Sequence, residues 1–137
     1  MPAPPVPLSR IVKRQGIPEP FLRQIFHALR RAGLVEAVMG KNGGYRLGRD
    51  PSHVTAYEVA RALGDDMVPV ACVSRPEVCC RVRGCPTRAL WSRVADMLRR
   101  ALSSTTIDQL AGHYPPGGRR PKGRGTILGI GDRDCVP

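Results

Sequence analysis

Glycine and proline punctuate the first fifty residues in a way that leaves few folds open. Gly16, Gly33 and the run Gly40-Lys41-Asn42-Gly43-Gly44 divide that stretch into two short helical segments and a pair of strands. Leu8, Ile11 and Val12 predict the inner face of a short helix behind Ser9, broken at Gly16. A second helix opens at Pro18 and Pro20, where a missing N–H is tolerated. In it Leu22, Ile25, Phe26 and Leu29 follow the i, i+3, i+4, i+7 rule and face inward, which leaves Arg23, Gln24, His27, Arg30 and Arg31 on other faces. Gly33 stands where a left-handed stop belongs. Helix, tight turn at Gly16-Ile17, helix is the outline of a helix-turn-helix. Leu34 to Met39 then reads as a strand and Tyr45 to Leu47 as its partner, with Asn42-Gly43 as the expected hairpin turn because both positions favour positive φ. The fold expected is therefore mainly α with a small β-hairpin wing, a winged helix-turn-helix over residues 1–64.

Charge points to the partner of that region. The 137 residues carry 22 Lys and Arg against 11 Asp and Glu, a net charge of +11, and the excess is concentrated in the first fifty. A polyanion is the natural partner, double-stranded DNA first. Glu19, Pro20, Arg23 and Gln24 at the start of the second helix, with His27 one turn on, are placed to meet base edges in a major groove. Arg can take guanine and Gln adenine, each in bidentate fashion. Lys41, Asn42, Gly43, Tyr45 and Arg46 form the wing, whose tip of small residues can approach phosphates closely. The same helix residues also describe an ordinary solvated face, and the basic, glycine-rich hairpin that follows is what favours DNA. No Ser/His/Asp order, phosphate-binding loop or paired carboxylates stand out, so an enzyme is not expected. No 18-residue apolar run exists to span a membrane, and Met-Pro-Ala-Pro-Pro-Val-Pro-Leu lacks the features of a secretory signal. The expected location is cytoplasmic, where structural disulfides are rare.

The second half carries a different chemistry. Thr55 and Glu58 form a capping box, with Val54 and Val59 as its hydrophobic staple, for a helix that ends at Gly64. A cysteine loop follows over residues 65–86, with Cys72, Cys79, Cys80 and Cys85 within 14 residues. Thiols so grouped read as soft ligands for iron–sulfur or zinc. Spacing alone leaves those two open, and redox-active thiols beside them. Neighbouring Cys79 and Cys80 point apart in extended chain, so one of the two is not expected to ligate. Arg75, Arg81, Arg83 and Arg88 would lower the thiol pKa values. Three scattered histidines do not make a metal site. Residues 87–112 read as the dimerisation helix, its helical stretch running from Thr87 to about Ser103: Leu90, Val94, Met97 and Ala101 keep heptad spacing, widened by Trp91, Leu98 and Leu102. So broad an apolar side needs a partner, and a homodimer supplies one. Residues 113–137, rich in Pro, Gly and Arg and including Cys135, are expected to be a disordered basic tail.

Pro5 to Ile11, Arg14 to Ile25 and Leu29 to Val35, continued by Gly40-Lys-Asn-Gly-Gly-Tyr-Arg-Leu and Cys79-Cys-Arg-Val-Arg-Gly-Cys-Pro-Thr-Arg-Ala-Leu-Trp, resemble the Rrf-type family of bacterial winged-helix transcription regulators. Its members include iron–sulfur, nitric oxide and iron sensors. The resemblance covers about Pro5 to Leu110 and implies a DNA-binding regulator, of the repressor kind among others, that dimerises through its long C-terminal helix. It also implies an iron–sulfur cluster, 2Fe-2S favoured over 4Fe-4S, held by Cys72, Cys79 and Cys85, with Cys80 at a variable position and zinc as the alternative. A zinc- or thiol-stabilised interaction protein that no longer reads DNA is the competing function. Arg88 stands where the iron–sulfur members have a histidine ligand, Met39 where they have a wing arginine, and Arg23 where they have a glutamate. Operator preference therefore does not transfer. The family's first helix has no counterpart here, and the expectation is that the true start lies upstream of Met1.

Overall fold

In the computed structural model, residues 3–113 are described. α1 (Leu8–Gln15) follows Pro7 with no side-chain cap, so Ser9 lies inside the first turn rather than capping it. It ends at Gly16, whose φ of 65° lets the chain turn into α2 (Glu19–Arg31). α2 stops as its glycine predicts. The N–H of Gly33 donates to Arg30 and that of Leu34 to Leu29, each at 3.0 Å, the double bond of a Schellman motif. Leu22 is buried, Ile25, Phe26 and Leu29 are half-buried, and Arg23, Gln24, His27, Arg30 and Arg31 are exposed, as the 3.6-residue period requires.

β1 (Val35–Val38) and β2 (Gly44–Leu47) pair antiparallel, with Glu36 opposite Arg46 and Ala37 opposite Tyr45. The turn between them differs from expectation. Gly43 donates to the Gly40 carbonyl at 2.9 Å, which makes Lys41 and Asn42 the central pair, and neither of them has positive φ. The positive angles fall on Gly40 (111°) and Gly44 (156°). The reason is length: a loop running from Met39 to Gly43 is too long for the two-residue turn in which Asn-Gly supplies both left-handed residues. Gly43 instead takes the last turn position, where a Cβ would collide with the Val38 carbonyl.

A third strand one residue long was not foreseen. Val6 donates to the Tyr45 carbonyl at 2.8 Å and accepts from its N–H at 2.9 Å. The close approach needs Gly44, because a Cβ there would collide with the Val6 carbonyl. With Val6 added to the hairpin, the winged helix-turn-helix is formed by α1 and α2 packed together and the hairpin packed on α2.

α3 (Ala56–Ala62) opens on the expected capping box, with Thr55 accepting from the Glu58 N–H and Glu58 accepting from the Thr55 N–H. It ends at Gly64, φ 90°, with a second Schellman pair. Residues 65–86 contain the single turn α4 (Ala71–Ser74) and a 3-10 turn at Pro76–Val78. The expected helix from Thr87 to about Ser103 is present, and the rest of the 87–112 segment forms a second, short helix. α5 (Pro86–Ser103) ends at Ser104, and α6 (Ile107–Gly112) starts from its own capping box between Thr106 and Gln109. Thr106 is held extended because it bridges to Thr55, with Ala56 donating to Thr105 and Ile107 to Val54, both at 2.9 Å. A continuous helix could not make those bonds.

α5 turns a narrow face inward. Ala95 is fully buried, with Arg88, Ser92, Arg99 and Leu102 half-buried along the same stripe, and α5 packs on α3 and α4. Of the heptad stripe, Leu90 (56% exposed), Met97 (69%) and Ala101 lie outside it, while Val94 is half-buried. The buried residues Leu22, Leu34, Val35 and Val54 form the centre of the winged region. Among the described residues no helix is long and apolar enough to cross a membrane. The expected basic tail, with Cys135, lies outside the described residues beyond His113.

Two measurements check this architecture. Gly44→Ala forces a Cβ against Val6 at a positive φ, and chemical denaturation should show a loss of more than about 1 kcal/mol. The Glu58 carboxyl is held below the usual carboxylate range, first by the Thr55 N–H and then by Arg49. A lowered folded value means stabilisation that is present at neutral pH and lost as pH falls through that value. The stability gap between wild type and Glu58→Ala should therefore narrow as pH falls through and below the ordinary carboxylate range.

Candidate nucleic-acid interface

The outer face of α2 and the hairpin form one surface because an aromatic contact joins them. The rings of Phe26 and Tyr45 lie 4.4 Å apart between centroids, tilted by 41°. That contact sets β2 against α2 and turns Tyr45 toward the exposed side of the helix. Arg23, Gln24, His27, Arg30 and Tyr45 then line one concavity of about 400 Å³. Four residues assigned to the site from sequence come together there. Arg30 joins them and was not among the residues assigned, although its spacing from Arg23 and His27 on one helical face was the available signal.

The other assigned residues are placed differently. Glu19 is paired with Arg23, whose Nε and Nη2 both donate to Glu19 Oε1. Pro20 is exposed beside it in the first turn. Lys41 and Asn42 project from the hairpin tip as its exposed central pair, with Gly43 half-buried behind them. Arg46 is engaged: its Nε and Nη2 donate to Glu36 Oε2 at 3.1 and 3.0 Å across the hairpin. A pair at that exposure is worth at most about 1 kcal/mol, so it neutralises Arg46 more than it secures the strands. Lys41 is the cation that the tip itself presents. Met39, at its base, is 91% exposed.

The cysteines occupy the opposite kind of setting. Cys72 lies on α4, Cys79 follows the 3-10 turn, and Cys85 is the residue before α5; all three are half-buried, and Cys80 is exposed. Arg88 Nε donates to the Cys72 carbonyl at 3.3 Å, tying α4 to the first turn of α5. The Cys85 thiol lies 3.2 Å from the Thr87 hydroxyl, which, with the N–H groups of Thr87 and Arg88, pulls its pKa below the ordinary thiol value. Thiols of this kind suit a soft metal. Among the described residues, no three His, Cys, Asp or Glu side chains converge at metal-binding range.

Comparison with known proteins accords with this arrangement. The sequence profile of the Rrf2 family, described as an iron-dependent transcriptional regulator, matches residues 2–113. Over 106 residues the chain is 41% identical to the HTH-type transcriptional regulator IscR of Photorhabdus laumondii, covering 77% of this chain and 64% of that protein. It is 39% identical to IscR of Escherichia coli O1:K1 / APEC, covering 77% and 65%. The chain thus spans slightly less than two thirds of these relatives, which are transcriptional regulators rather than enzymes. Among solved structures, CymR (YrzC), the global cysteine regulator of B. subtilis, superposes with a TM-score of 0.66 at 32% identity, covering 82% of this chain and 81% of that one. IscR of T. potens gives 0.63 at 30% identity, covering 80% and 70%. The chain is a member of the Rrf2 family of transcriptional regulators.

Proposed function

We propose that the chain is a cytoplasmic DNA-binding transcription regulator that works as a homodimer, with α2 in the major groove and the hairpin tip on the flanking phosphates. The observation that carries this reading is the concavity of Arg23, Gln24, His27, Arg30 and Tyr45, exposed along α2. Arg23 and Gln24 supply base-reading groups, and Arg30 and Lys41 supply charge for phosphates. The dimer is supported by the outer side of α5, where Leu90, Trp91, Met97 and Leu98 are all exposed in one chain. Two copies burying that side would place two α2 helices for the half-sites of a palindrome.

The sensing element proposed is the cysteine loop. Cys72, Cys79 and Cys85 would hold an iron–sulfur cluster, 2Fe-2S before 4Fe-4S, with zinc as the alternative metal. Bound there, a cluster would supply chemistry that responds to iron, oxidants or nitric oxide. The chain's own contribution is to bring those three cysteines onto one loop as half-buried residues and anchor the Cys72 turn to α5 through Arg88.

Two outcomes test the reading. Arg23→Ala should relax base preference at one position by about 1–3 kcal/mol, whereas Lys41→Ala should weaken all duplexes alike and reduce the salt slope by about 1. Random-site selection followed by binding titrations at several salt concentrations measures both, and a chain with no salt-dependent preference for any duplex contradicts the DNA reading. Purified without oxygen, the protein should be brown and contain iron and sulfide. Cys72→Ala and Cys85→Ala should lose both elements and Cys80→Ala should keep them, while full iron in either of the first two variants overturns the ligand set. A colourless protein carrying zinc favours the alternative metal.

A further inference from the structure

Glu19 places a negative charge at the tip of the helix that would face a polyanion. Its position is stiffly set: Pro18 precedes it with φ −55° and ψ 134°, and Pro20 follows it in the first turn of α2. One turn on, Arg23 donates to Glu19 Oε1 through Nε at 3.1 Å and through Nη2 at 2.5 Å. Both hydrogen bonds use one edge of the guanidinium. The other edge, Nη1 with the second Nη2 hydrogen, stays free, and the Arg23 side chain is 66% exposed. Arg23 also borders the concavity with Gln24, His27 and Arg30. Released from Glu19, it would be one more mobile cation among those residues. Held by Glu19, it offers two donors in a fixed plane.

The two consequences of Glu19 oppose each other. Its charge repels phosphates of every sequence, which lowers general affinity. Its grip on Arg23 favours one base contact over the many that a free guanidinium could make. In water an exposed i, i+4 pair biases the side chain only about twofold, but the bias rises when a base edge displaces water from the pair.

We propose that Glu19 is a specificity-determining residue that acts by positioning: it holds Arg23 so that the free guanidinium edge takes O6 and N7 of a guanine. The inference rests on the reading of α2 as the DNA-facing helix. Its test is random-site selection and salt-dependent titration with the full chain, comparing wild type, Glu19→Gln, Glu19→Asp and Glu19→Gln combined with Arg23→Ala. Wild type should select guanine at one position in each half-site. Glu19→Gln should bind random duplex several-fold more tightly, with a salt slope steeper by about 1, while its preference for that guanine falls by about tenfold. Glu19→Asp keeps the charge but is one methylene shorter, so it should lose the preference without gaining affinity. In the Arg23→Ala background Glu19→Gln should change affinity but not base preference. Retention of the wild-type guanine preference in Glu19→Gln or Glu19→Asp overturns the inference and leaves the DNA reading standing. A wild-type chain that selects no sequence overturns both.

Discussion

Two backbone hydrogen bonds between Val6 and Tyr45 fix the winged region in place. They bring the segment that enters α1 onto the open edge of β2, so α1 starts directly after Pro7, beside the hairpin. Tyr45, held on that backbone, sets its ring on Phe26 and so fixes the hairpin against α2. The exposed face of α2 and the hairpin tip therefore belong to one surface. Gly44 makes the approach possible, because a side chain there would occupy the space of the Val6 carbonyl. The orientation of Arg23, Gln24, His27 and Arg30 follows from a contact made by residues that carry no charge at all.

A second backbone junction joins the winged region to the C-terminal helices. Thr55 and Thr106 are both N-caps, each closes its own capping box, and the two residues bridge each other. Each side keeps the other extended at the point where a helix begins. α5 is thereby fixed at its C-terminal end, where Ala56 donates to Thr105 and Ile107 to Val54, and it packs on α3 with Ala95 buried on its inner stripe. At its other end Arg88 holds the Cys72 carbonyl. α5 thus links the cysteine loop mechanically to the region that carries α2, while its apolar outer side remains available for a second chain.

The elements legible in the sequence were those set by a residue's own neighbours. Gly33 and Gly64 stop helices because the left-handed residue and both of its hydrogen bonds lie within six residues. Thr55 and Glu58 read as a box because their bond spans three positions. The Thr106-x-x-Gln109 box was equally local but passed unread, because the six residues after it hold too few apolar positions to show a helical period. Val6 was not legible, because one extended residue between Pro5 and Pro7 has no period, and its partner lies far along the chain. The Asn42-Gly43 turn misled for a related reason: the dipeptide specifies a conformation only when the loop has the matching length, and register set that length. In the interface, the spacing of Arg23, Gln24 and His27 placed them together with Tyr45 nearby, but sequence could not show that Arg46 would be neutralised by Glu36 across the strands or Arg23 held by Glu19. The inner stripe of α5 escaped notice because its most buried residue is an alanine, which hydrophobic patterning weights lightly.

In the function proposed, one continuous surface, the outer side of α2 with the hairpin tip, meets duplex DNA. Amide exchange or backbone NMR shifts, followed while a selected duplex is titrated into the full chain, map that surface directly. Protection or shifts should concentrate at Glu19 to Arg30 and Met39 to Tyr45, with α5 and the cysteine loop changing little. Changes confined to α5, to the cysteine loop or to residues beyond His113, with α2 and the hairpin unaffected, would contradict it.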